Sequence, residues 1–332
     1  MVEKHQFLGV DAIFASPRMR ELFQQVRKAA QSNASILLLG ESGSGKEIVA
    51  RAIHHYSTRK LKPFVDLSCA ALPDELVDAE LFGRERGASS GAYATRQGLL
   101  EMAHDGSLFL DEIGALDPRL QSKLLCVLDT GCFCRLGAIK PTKSNVRVIA
   151  ATNYPLLDSI QSGAFCADLY HRIGQITLTV PPLRERPEDV EALASHFLAQ
   201  QNPEMRFASD AMMALYTYQW PGNVRELRNT VLRSALMSKG PLLHADDIVF
   251  SLRSRKSVEQ ARQECGIAGV EQTLIRRALE DSGGHRQRAA DSLGMSRTSL
   301  SRKIRSYGLA TSLQTQRSVL TQRSVLTQRR IA

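Results

Sequence analysis

The chain has 332 residues, 43% of them hydrophobic and 23% charged, and its formal net charge is +9. This length exceeds that of a usual single domain, and the composition is typical of a globular protein. No apolar run approaches the ~20 residues needed to cross a bilayer, and the N-terminus lacks the pattern of a signal peptide. The six cysteines have neither zinc-finger nor disulfide-scaffold spacing, so we expect a reduced, cytoplasmic protein with two or more domains and no membrane partner.

The apolar pattern of the first half alternates between helix and strand. Pro17–Ala30 has the helical spacing of apolar positions, and Leu120–Leu128 is a second helical stretch. Short apolar runs typical of buried strands occupy Ile36–Leu39, Phe64–Leu67, Ser107–Leu110 and Val146–Ala151. Strands that alternate with helices predict an α/β fold, a parallel sheet with helices on both faces.

The second half is expected to be helical. Strands should stop at Pro181 and Pro182, after which Pro187–Gln201 and Ser209–Tyr218 have amphipathic helical patterns. The predicted division is an extension at 1–10, an α/β unit at 11–180, a helical unit at 181–250, a polar linker at 251–268, a small all-α unit at 269–310 and a low-complexity tail at 311–332, which repeats TQRSVL.

The excess positive charge lies in the last quarter of the chain. Residues 251–332 carry 16 Lys and Arg against 6 Asp and Glu, a balance of +10, whereas the rest of the chain carries 27 against 28, or −1. A concentrated basic segment indicates a polyanionic partner such as nucleic acid. The alternative is a basic tail that only aids solubility.

Residues 40–46 read GESGSGK and lie between a predicted strand and a predicted helix, which is the context of a phosphate-binding P-loop. Backbone N–H groups of such a loop turn toward phosphate oxygens, and the lysine pairs with the β- and γ-phosphates. Glu47 follows where Ser or Thr usually contacts magnesium. The predicted nucleotide-binding residues are Gly40, Glu41, Ser42, Gly43, Ser44, Gly45, Lys46 and Glu47.

An acidic pair, Asp111 and Glu112, closes the predicted strand Ser107–Leu110. Such a pair suits phosphoryl transfer, in which we expect Asp111 to hold Mg²⁺ and Glu112 to polarise the attacking water. A solvated acidic loop is the alternative, and it is disfavoured by the P-loop earlier in the chain.

Several ordered blocks resemble the central domain of the sigma-54-dependent activators, the bacterial enhancer-binding family of AAA+ ATPases. The resemblance covers about residues 10 to 250. The blocks are GESGSGKE from Gly40, ELFGRERGA from Glu80, SLFLDEIG from Ser107, PPLRERPEDV from Pro181 and WPGNVRELRN from Trp220. The resemblance implies an AAA+ fold with a helical lid, and a hexameric ring, dimeric at rest, that binds ATP and Mg²⁺ between neighbours. It also implies that hydrolysis remodels sigma-54 RNA polymerase.

The same resemblance implies roles for three further residues. Asn153 is the expected sensor of the γ-phosphate and Arg225 the expected second sensor. Arg172 is the expected arginine finger, which stabilises transition-state charge in the neighbouring subunit.

Four departures from the family pattern bear on function. The sigma-contacting loop of the family reads GAFTGA, whereas this chain reads GASSGA at Gly87, Ala88, Ser89, Ser90, Gly91 and Ala92. Cys166 stands where the family has a second interface arginine, Cys126 replaces another arginine, and Ser68 replaces an asparagine. We expect ATP binding to be retained, and the hydrolysis rate and the sigma-54 contact are left open.

The basic end of the chain has a helix-turn-helix pattern. Helices are expected at Val270–Asp281, Arg286–Leu293 and Thr298–Tyr307, and RQRAADSLGMSRTSLSRKIRSYGL resembles the Fis-type domain that ends this activator family. The expected double-stranded DNA contacts are Arg297, Thr298, Ser299, Arg302, Lys303 and Arg305, with Arg297 and Arg302 reading bases. The alternative is a basic helical hairpin for self-association.

Only about ten residues precede the ATPase region. Control is therefore expected from expression level, from a regulatory protein acting in trans, or from a paralogue in a mixed ring. Two other functions stay open: a sigma-54-independent regulator that occupies operators, and a degenerate subunit that needs an intact paralogue.

Overall fold

The computed structural model describes residues 2–87 and 94–250 and, beyond them, residues 275, 278, 279, 282, 285–293, 295 and 297–306. Two compact units are present, Met1–Val249 and Phe250–Ala332. The expected linker at 251–268 and tail at 311–332 lie outside the described residues. No helix in the described part of the chain is both long and apolar enough to span a membrane.

The strands are, in chain order, β1 (Glu3–Phe7), β2 (Val10–Phe14), β3 (Ile36–Leu39), β4 (Phe64–Ser68), β5 (Ser107–Asp111), β6 (Cys132–Phe133), β7 (Thr142–Lys143), β8 (Arg147–Thr152), β9 (Ile176–Thr179), β10 (Arg206–Phe207) and β11 (Leu242–Leu243). The helices are α1 (Pro17–Ala30), α2 (Lys46–Tyr56), α3 (Asp74–Phe82), α4 (Leu99–Met102), α5 (Pro118–Thr130), α6 (Leu156–Gln161), α7 (Ala167–Ile173), α8 (Glu188–Gln201), α9 (Ser209–Thr217), α10 (Asn223–Met237), α11 (Arg286–Ser292) and α12 (Arg297–Ser306).

A five-stranded parallel sheet with the order β4-β5-β8-β3-β9 forms the centre of the first unit. Alternate side chains of a strand point to opposite faces, and β3 illustrates this. Leu37 packs in a core with α3, α5 and α7, whereas Ile36 and Leu38 pack in a second core with α1 and α2. The predicted α/β sheet covered on both faces is confirmed.

The register of the sheet brings the ends of three strands to one edge. Leu39 lies opposite Thr152 and Ser68 lies opposite Asp111. Because all strands of the sheet run in the same direction, the residues that follow β3, β5 and β8 gather at this edge. These residues are the P-loop, Glu112 and Asn153, in agreement with the usual position of ligands at the carboxyl ends of parallel strands.

The structure differs from the expected extension at 1–10, because β1 and β2 form an antiparallel hairpin there. Its turn contains Leu8 and Gly9, both with positive φ. Phe7 and Phe14 are buried, and the His5 ring stacks on both of them. The sequence does not predict β1, because a histidine and long polar side chains occupy positions that are apolar in a regular alternating strand.

The sequence also did not predict β6, β7, β9, β10 and β11. β9 (ITLT) forms the edge of the central sheet, although its alternating pattern has only two aliphatic residues. The expectation that strands stop at Pro181 was wrong in detail, since the two-residue strands β10 and β11 pair in parallel beyond it. Such short pairings carry no periodic signal.

The helical subdomain that follows Pro182 is confirmed. α8 packs along α10 and also against α9. The indole of Trp220, which is buried, donates a hydrogen bond to the carbonyl of Leu215 and lies edge-on to Tyr218. These contacts join the end of α9 to the start of α10.

The second unit contains α11 and α12, whose bounds agree closely with the expected helices. Leu300 and Ile304 of α12 are buried with Ala289 and Ala290 of α11. The expected first helix, Val270–Asp281, lies outside the described residues except for Ile275, Ala278 and Leu279, which are helical and join this small core.

Candidate nucleotide-binding site

The loop between β3 and α2 has the backbone of a phosphate cradle. Gly43 and Gly45 have φ values of 73° and 106°, which favour glycine, and α2 begins at Lys46. Lys46 is buried, and its Nζ donates to the carbonyls of Gly40 and Glu41 at 2.9 and 3.2 Å. The ammonium therefore lies over the loop rather than in solvent, where it is placed to meet a phosphate.

The acidic pair lies within electrostatic range of this lysine. Burial lowers the pKa of Lys46, while the carboxylates of Glu112 and Asp111 act to raise it. The backbone N–H of Glu112 donates to Asp111 Oδ1 at 3.0 Å, and Glu112 adopts a left-handed φ of 54°. This turn directs the backbone out of β5 and leaves both acids at the phosphate-binding edge.

Glu112 has an unsatisfied carboxylate oxygen. Among the residues that the structure describes, its Oε2 is buried and has no hydrogen-bond partner. A buried carboxylate oxygen without a partner is costly, so it fits a site completed by a water or a cation. The described residues contain no cluster of three or more His, Cys, Asp or Glu side chains suited to a metal ion. The Asp111 carboxylate fits an Mg²⁺ ion that takes its other ligands from phosphate and water, and the Glu112 oxygen fits a water.

The lid contacts the P-loop through α10. The backbone N–H of Val224 donates to the carbonyl of Gly43 at 3.0 Å, and Arg225 Nη1 donates to Ser42 Oγ at 2.9 Å. A Cβ on Gly43 would come within 2.5 Å of the carbonyl oxygen of Gly222. The expected second sensor, Arg225, is thus placed at the loop, and a glycine is needed where the two backbones meet.

Asn223 is a contact residue that the sequence reasoning did not single out. Its side chain is buried, its Nδ2 donates to Glu41 Oε2 and to the Ser42 carbonyl, both at 3.1 Å, and its Oδ1 accepts from the N–H of Leu183. Its φ of 52° is one that asparagine tolerates. The only signal in the sequence was its place in the block WPGNVRELRN.

Two arginines of the PPLRERPEDV block were also missed. Arg184 forms a two-pronged ion pair with Glu41 at 2.6 and 2.8 Å, which is the main cause of the lowered pKa of Glu41. Arg186 is buried and donates to the carbonyl of Ser44. The first segment of the lid therefore holds the P-loop at both ends.

Asn153 follows β8 and is exposed at the same edge of the sheet. Ser68, at the end of β4, lies directly opposite Asp111 in the register. The structure therefore brings Asn153 and Ser68 to the edge that holds Lys46, Asp111 and Glu112. Their predicted roles in sensing and coupling stay predictions.

Arg172 lies elsewhere, near the opposite edge of the sheet. It donates to the carbonyl of Leu128 and pairs with Asp129 at 3.1 Å. It also lines a cavity of about 720 Å³ with Ser35, which precedes β3, and with Gln175, which precedes β9. One chain does not bring Arg172 to its own P-loop.

Of the remaining departures from the family pattern, the structure describes Cys166 and Cys126. Cys166 precedes the first residue of α7, and its backbone N–H donates to Gln121 Oε1 at 2.7 Å. Cys126 is exposed on α5. In the expected sigma-contacting loop only Gly87 is described, and Ala88, Ser89, Ser90, Gly91 and Ala92 lie outside the described residues.

The expected DNA-contacting residues lie on α12. Arg297, Thr298 and Arg302 are exposed, and Ser299 and Lys303 are partly exposed. The backbone of Arg305 continues the helix, but its side chain lies outside the described residues. Leu300 and Ile304 form the buried face of α12, and the DNA contacts of the polar residues stay predictions.

Three models of known families match successive parts of the chain. Residues 12–179 match the sigma-54 interaction domain, residues 184–265 match the AAA+ ATPase lid domain, and residues 267–307 match the Fis family of bacterial regulatory proteins. An AAA+ P-loop domain implies nucleotide binding.

Similar proteins include a nitrogen fixation protein and a regulatory protein. The nitrogen fixation protein AnfA of Azotobacter vinelandii is 41% identical over 92% of this chain and 59% of its own length. The regulatory protein AtoC of Escherichia coli is 42% identical over 89% of this chain and 67% of its own length. The chain therefore spans roughly three fifths to two thirds of these relatives.

Among solved structures, NtrX from Brucella abortus in complex with ATP is 34% identical, with a TM-score of 0.67, over 89% of this chain and 69% of that one. The matched domains, these relatives and the described fold agree. The chain belongs to the sigma-54-dependent activator family of AAA+ proteins, with an AAA+ lid and a C-terminal Fis-type helix-turn-helix.

Proposed function

We propose that this chain is a DNA-binding transcription regulator that hydrolyses ATP in an oligomeric ring to remodel sigma-54 RNA polymerase and activate transcription. The observation that carries the proposal is the meeting of Lys46, Asp111 and Glu112 at one sheet edge, with Arg225 of the lid on the same loop. Phosphate binding, water activation and a lid contact are the parts that ATP-driven movement requires.

ATP and Mg²⁺ are the proposed ligands of this edge. The loop residues 40–45 and Lys46 would hold the phosphates, and Asp111 would hold the metal ion. When bound, Mg²⁺ supplies charge neutralisation for the phosphate oxygens. Glu112, whose Oε2 is buried without a partner among the described residues, would accept a hydrogen bond from the attacking water.

Arg172 is proposed to act in trans. It is partly exposed and lies near the sheet edge opposite the P-loop, so only the site of a neighbouring subunit is open to it. A hexameric ring, formed from dimers, would place it there. Because Asp129 and the Leu128 carbonyl hold its guanidinium, the side chain must change partners to reach a phosphate.

The second unit is proposed to hold the ring on double-stranded DNA upstream of promoters. Helix α12 carries basic residues on its solvent side and would enter the major groove, with Arg297 and Arg302 reading bases and Lys303 and Arg305 holding phosphates.

A second candidate is a regulator that keeps the ATP fold for assembly but acts by occupying operators without sigma-54. Ser89, in place of the family phenylalanine, and Cys166, in place of an interface arginine, favour it. A degenerate subunit that needs an intact partner is favoured by the same two residues.

The test combines two measurements on the full chain. ATP turnover is measured against protein concentration, and binding of fluorescent sigma-54 is measured with ADP–aluminium fluoride. Turnover that rises with concentration, together with sigma-54 binding, supports the activator. Turnover near zero with tight DNA binding supports the operator-occupying regulator.

Two lysine variants distinguish loss of the nucleotide-binding site from a general effect of removing a lysine. Lys46→Ala should abolish nucleotide binding and turnover, because the buried ammonium over the loop is lost. Lys60→Ala, an exposed lysine in the loop after α2, is the matched control and should behave as the parent. Unchanged turnover in Lys46→Ala would exclude this nucleotide site.

A further inference from the structure

A cavity of about 720 Å³ lies at the sheet edge opposite the P-loop. Its lining includes Ser35, Val146 and Gln175, which immediately precede the strands β3, β8 and β9. The P-loop follows the other end of β3, so the cavity and the nucleotide-binding site lie at opposite ends of one strand. The volume is within the ~300–1,000 Å³ that is usual for small-molecule sites. The cavity is therefore large enough for a ligand of its own.

The lining of this cavity is positively charged. Arg172 of α7 and Lys143 of β7 both line it, and no aspartate or glutamate is among the lining residues in the part of the chain that the structure describes. Asp129, the ion-pair partner of Arg172, lies outside the lining. Two positive charges without a carboxylate in the same lining indicate an anionic ligand.

The amide side chains of the lining present hydrogen-bond donors. Gln175 Oε1 accepts from the backbone N–H of Ser35 at 3.0 Å, and Asn33 Oδ1 accepts from Arg59 Nε at 3.4 Å. Because a protein donor holds each amide oxygen, the amide nitrogen is the part of the group that faces a ligand with its hydrogens. The lining thus adds neutral donors to its two cations, which also suits an anion.

The carbonyl groups at the end of α5, which also borders the cavity, are already hydrogen-bonded. The carbonyls of Val127 and Gly131 accept from the N–H groups of Gly131 and Ser144, both at 2.8 Å, and the Leu128 carbonyl accepts from Arg172. The end of a helix disfavours an anion, because its carbonyls carry partial negative charge. Here donors occupy these carbonyls, and the Arg172 guanidinium adds a full positive charge beside them.

A hydrogen-bonded network fixes the wall of the cavity around Asn145. The carbonyl and the Oδ1 of Asn145 both accept from Arg59 at 3.0 Å. Its Nδ2 donates to Asp105 Oδ1 at 3.0 Å, and its backbone N–H donates to His104 Nδ1 at 3.2 Å. This wall is therefore formed before a ligand binds, which lowers the entropic cost of binding.

We infer that the cavity binds a small phosphate ester, with Arg172 and Lys143 as its two cations. A phosphate monoester carries about 1.5 to 2 negative charges at neutral pH and offers three acceptor oxygens, which matches two cations and several neutral donors. An arginine fork fits two phosphate oxygens, and a lysine adds a point charge. A phosphate group alone would leave most of the cavity empty, so the ligand is expected to carry an organic part.

The test is isothermal titration calorimetry of the full chain carrying Lys46→Ala, at constant ionic strength, with ribose 5-phosphate and inorganic phosphate as probes. Lys46→Ala removes the P-loop as a competing phosphate site, and ribose 5-phosphate should still bind. Adding Lys143→Ala should weaken this binding about tenfold or more, because a charge-assisted hydrogen bond is lost. Adding Lys143→Arg should retain most of the affinity. Lys140→Ala removes an exposed lysine outside the lining and is the matched control, with unchanged binding expected.

Two results would overturn the inference: no binding of ribose 5-phosphate to the Lys46→Ala chain, or equal affinities after Lys143→Ala and Lys140→Ala are added. Inorganic phosphate that binds as tightly as ribose 5-phosphate would exclude the ester and leave the free anion as the ligand. None of these measurements uses ATP turnover or sigma-54. The inference can therefore fail while the proposed function stands, and the reverse also holds.

A bound phosphate ester would also compete for Arg172, a consequence that rests on the proposed function. A guanidinium held in this cavity is not available to the ATP of a neighbouring subunit. In chains that retain Lys46, ribose 5-phosphate should lower ATP turnover in the parent and in Lys140→Ala, and it should have less effect in Lys143→Ala. Equal inhibition of these two variants would contradict the competition for Arg172.

Discussion

Arg186 and Asp189 form an ion pair inside the protein, with Nη1 and Oδ2 3.5 Å apart and the side chains 3% and 0% exposed. Asp189 also accepts hydrogen bonds from the backbone N–H groups of Ala15 and Ser16 and from the Ser16 hydroxyl. Arg186 donates to the carbonyl of Ser44. The pair therefore joins the start of α1, the first segment of the lid and the P-loop.

Replacing Asp189 by asparagine should destabilise the first unit strongly. It leaves the Arg186 charge buried without its partner, a change that typically costs about 3–5 kcal/mol. Urea unfolding of the full chain, followed by the fluorescence of Trp220, measures the loss, because this is the single tryptophan of the chain. Glu185→Gln, which breaks a surface ion pair with Arg18, is the control and should cost about 1 kcal/mol or less. Equal losses in both variants would contradict this account of the buried pair.

Two glycines with similar positive φ separate backbone strain from steric contact. Gly163, with a φ of 74°, has no atom within 4 Å of an added Cβ, so Gly163→Ala should cost about 1 kcal/mol from strain alone. Gly43→Ala, at 73°, adds a 2.5 Å clash with the Gly222 carbonyl and should cost about 2 kcal/mol or more. Urea unfolding without nucleotide gives both values. Equal losses of unfolding free energy in the two variants would contradict the close contact between Gly43 and the Gly222 carbonyl.

Arg225→Ala should weaken nucleotide binding. Arg225 donates to Ser42 of the P-loop and is the proposed second sensor. A charge-assisted hydrogen bond from its guanidinium to the nucleotide would contribute about 1.5–3 kcal/mol, roughly a tenfold to hundredfold change in affinity. Titration with a fluorescent ATP analogue measures the change. Arg228→Ala, an exposed arginine on the same helix, should leave the affinity unaltered. A similar loss in both would point to helix α10 rather than to the contact with Ser42.

Stability should decline at alkaline pH through Cys69. Burial raises the pKa of its thiol from 9.0 to about 12, with smaller contributions from Asp111 and Glu112. The folded state keeps a proton that the unfolded state releases, so this stabilisation is complete below pH 9 and is lost as pH rises toward 12. Iodoacetamide at pH 8 should therefore label the exposed Cys126 and Cys134 and leave Cys69 unmodified until urea is added. Early labelling of Cys69 would refute its burial.

DNA binding should separate two kinds of contact on α12. Arg302→Ala should cost about 1–3 kcal/mol of binding free energy and reduce the preference for the selected DNA sequence. Lys303→Ala should weaken binding to all duplexes equally, and it should reduce the slope of log affinity against log salt concentration by about 1. Fluorescence anisotropy with a duplex selected for tight binding and a scrambled duplex, over a series of salt concentrations, measures both effects. Identical behaviour of the two variants would show that the base and phosphate roles are assigned wrongly.

Local sequence patterns predicted several secondary-structure elements and the P-loop. The predicted helix Pro17–Ala30 has the bounds found in the structure, because its apolar spacing, the Ser16 cap and Pro17 at its first turn are all close together in the chain. The strand β3 and the loop ending at Lys46 were predicted for the same reason. The acidic pair was also placed correctly, since it follows a continuous apolar run.

The tertiary structure alone decided which distant residues complete the site. Asn223 reaches Glu41 across 182 positions, and Asp189 reaches Ser16 across 173. Neither contact leaves a periodic pattern in the chain, because periodicity reports which face of an element is buried and not what packs on that face. The bridge from Arg84 to Leu136 belongs to the same class. The sequence determined four of the five strands of the central sheet, several helices and the residues of the P-loop, and packing between remote segments decided which side chains meet at the site.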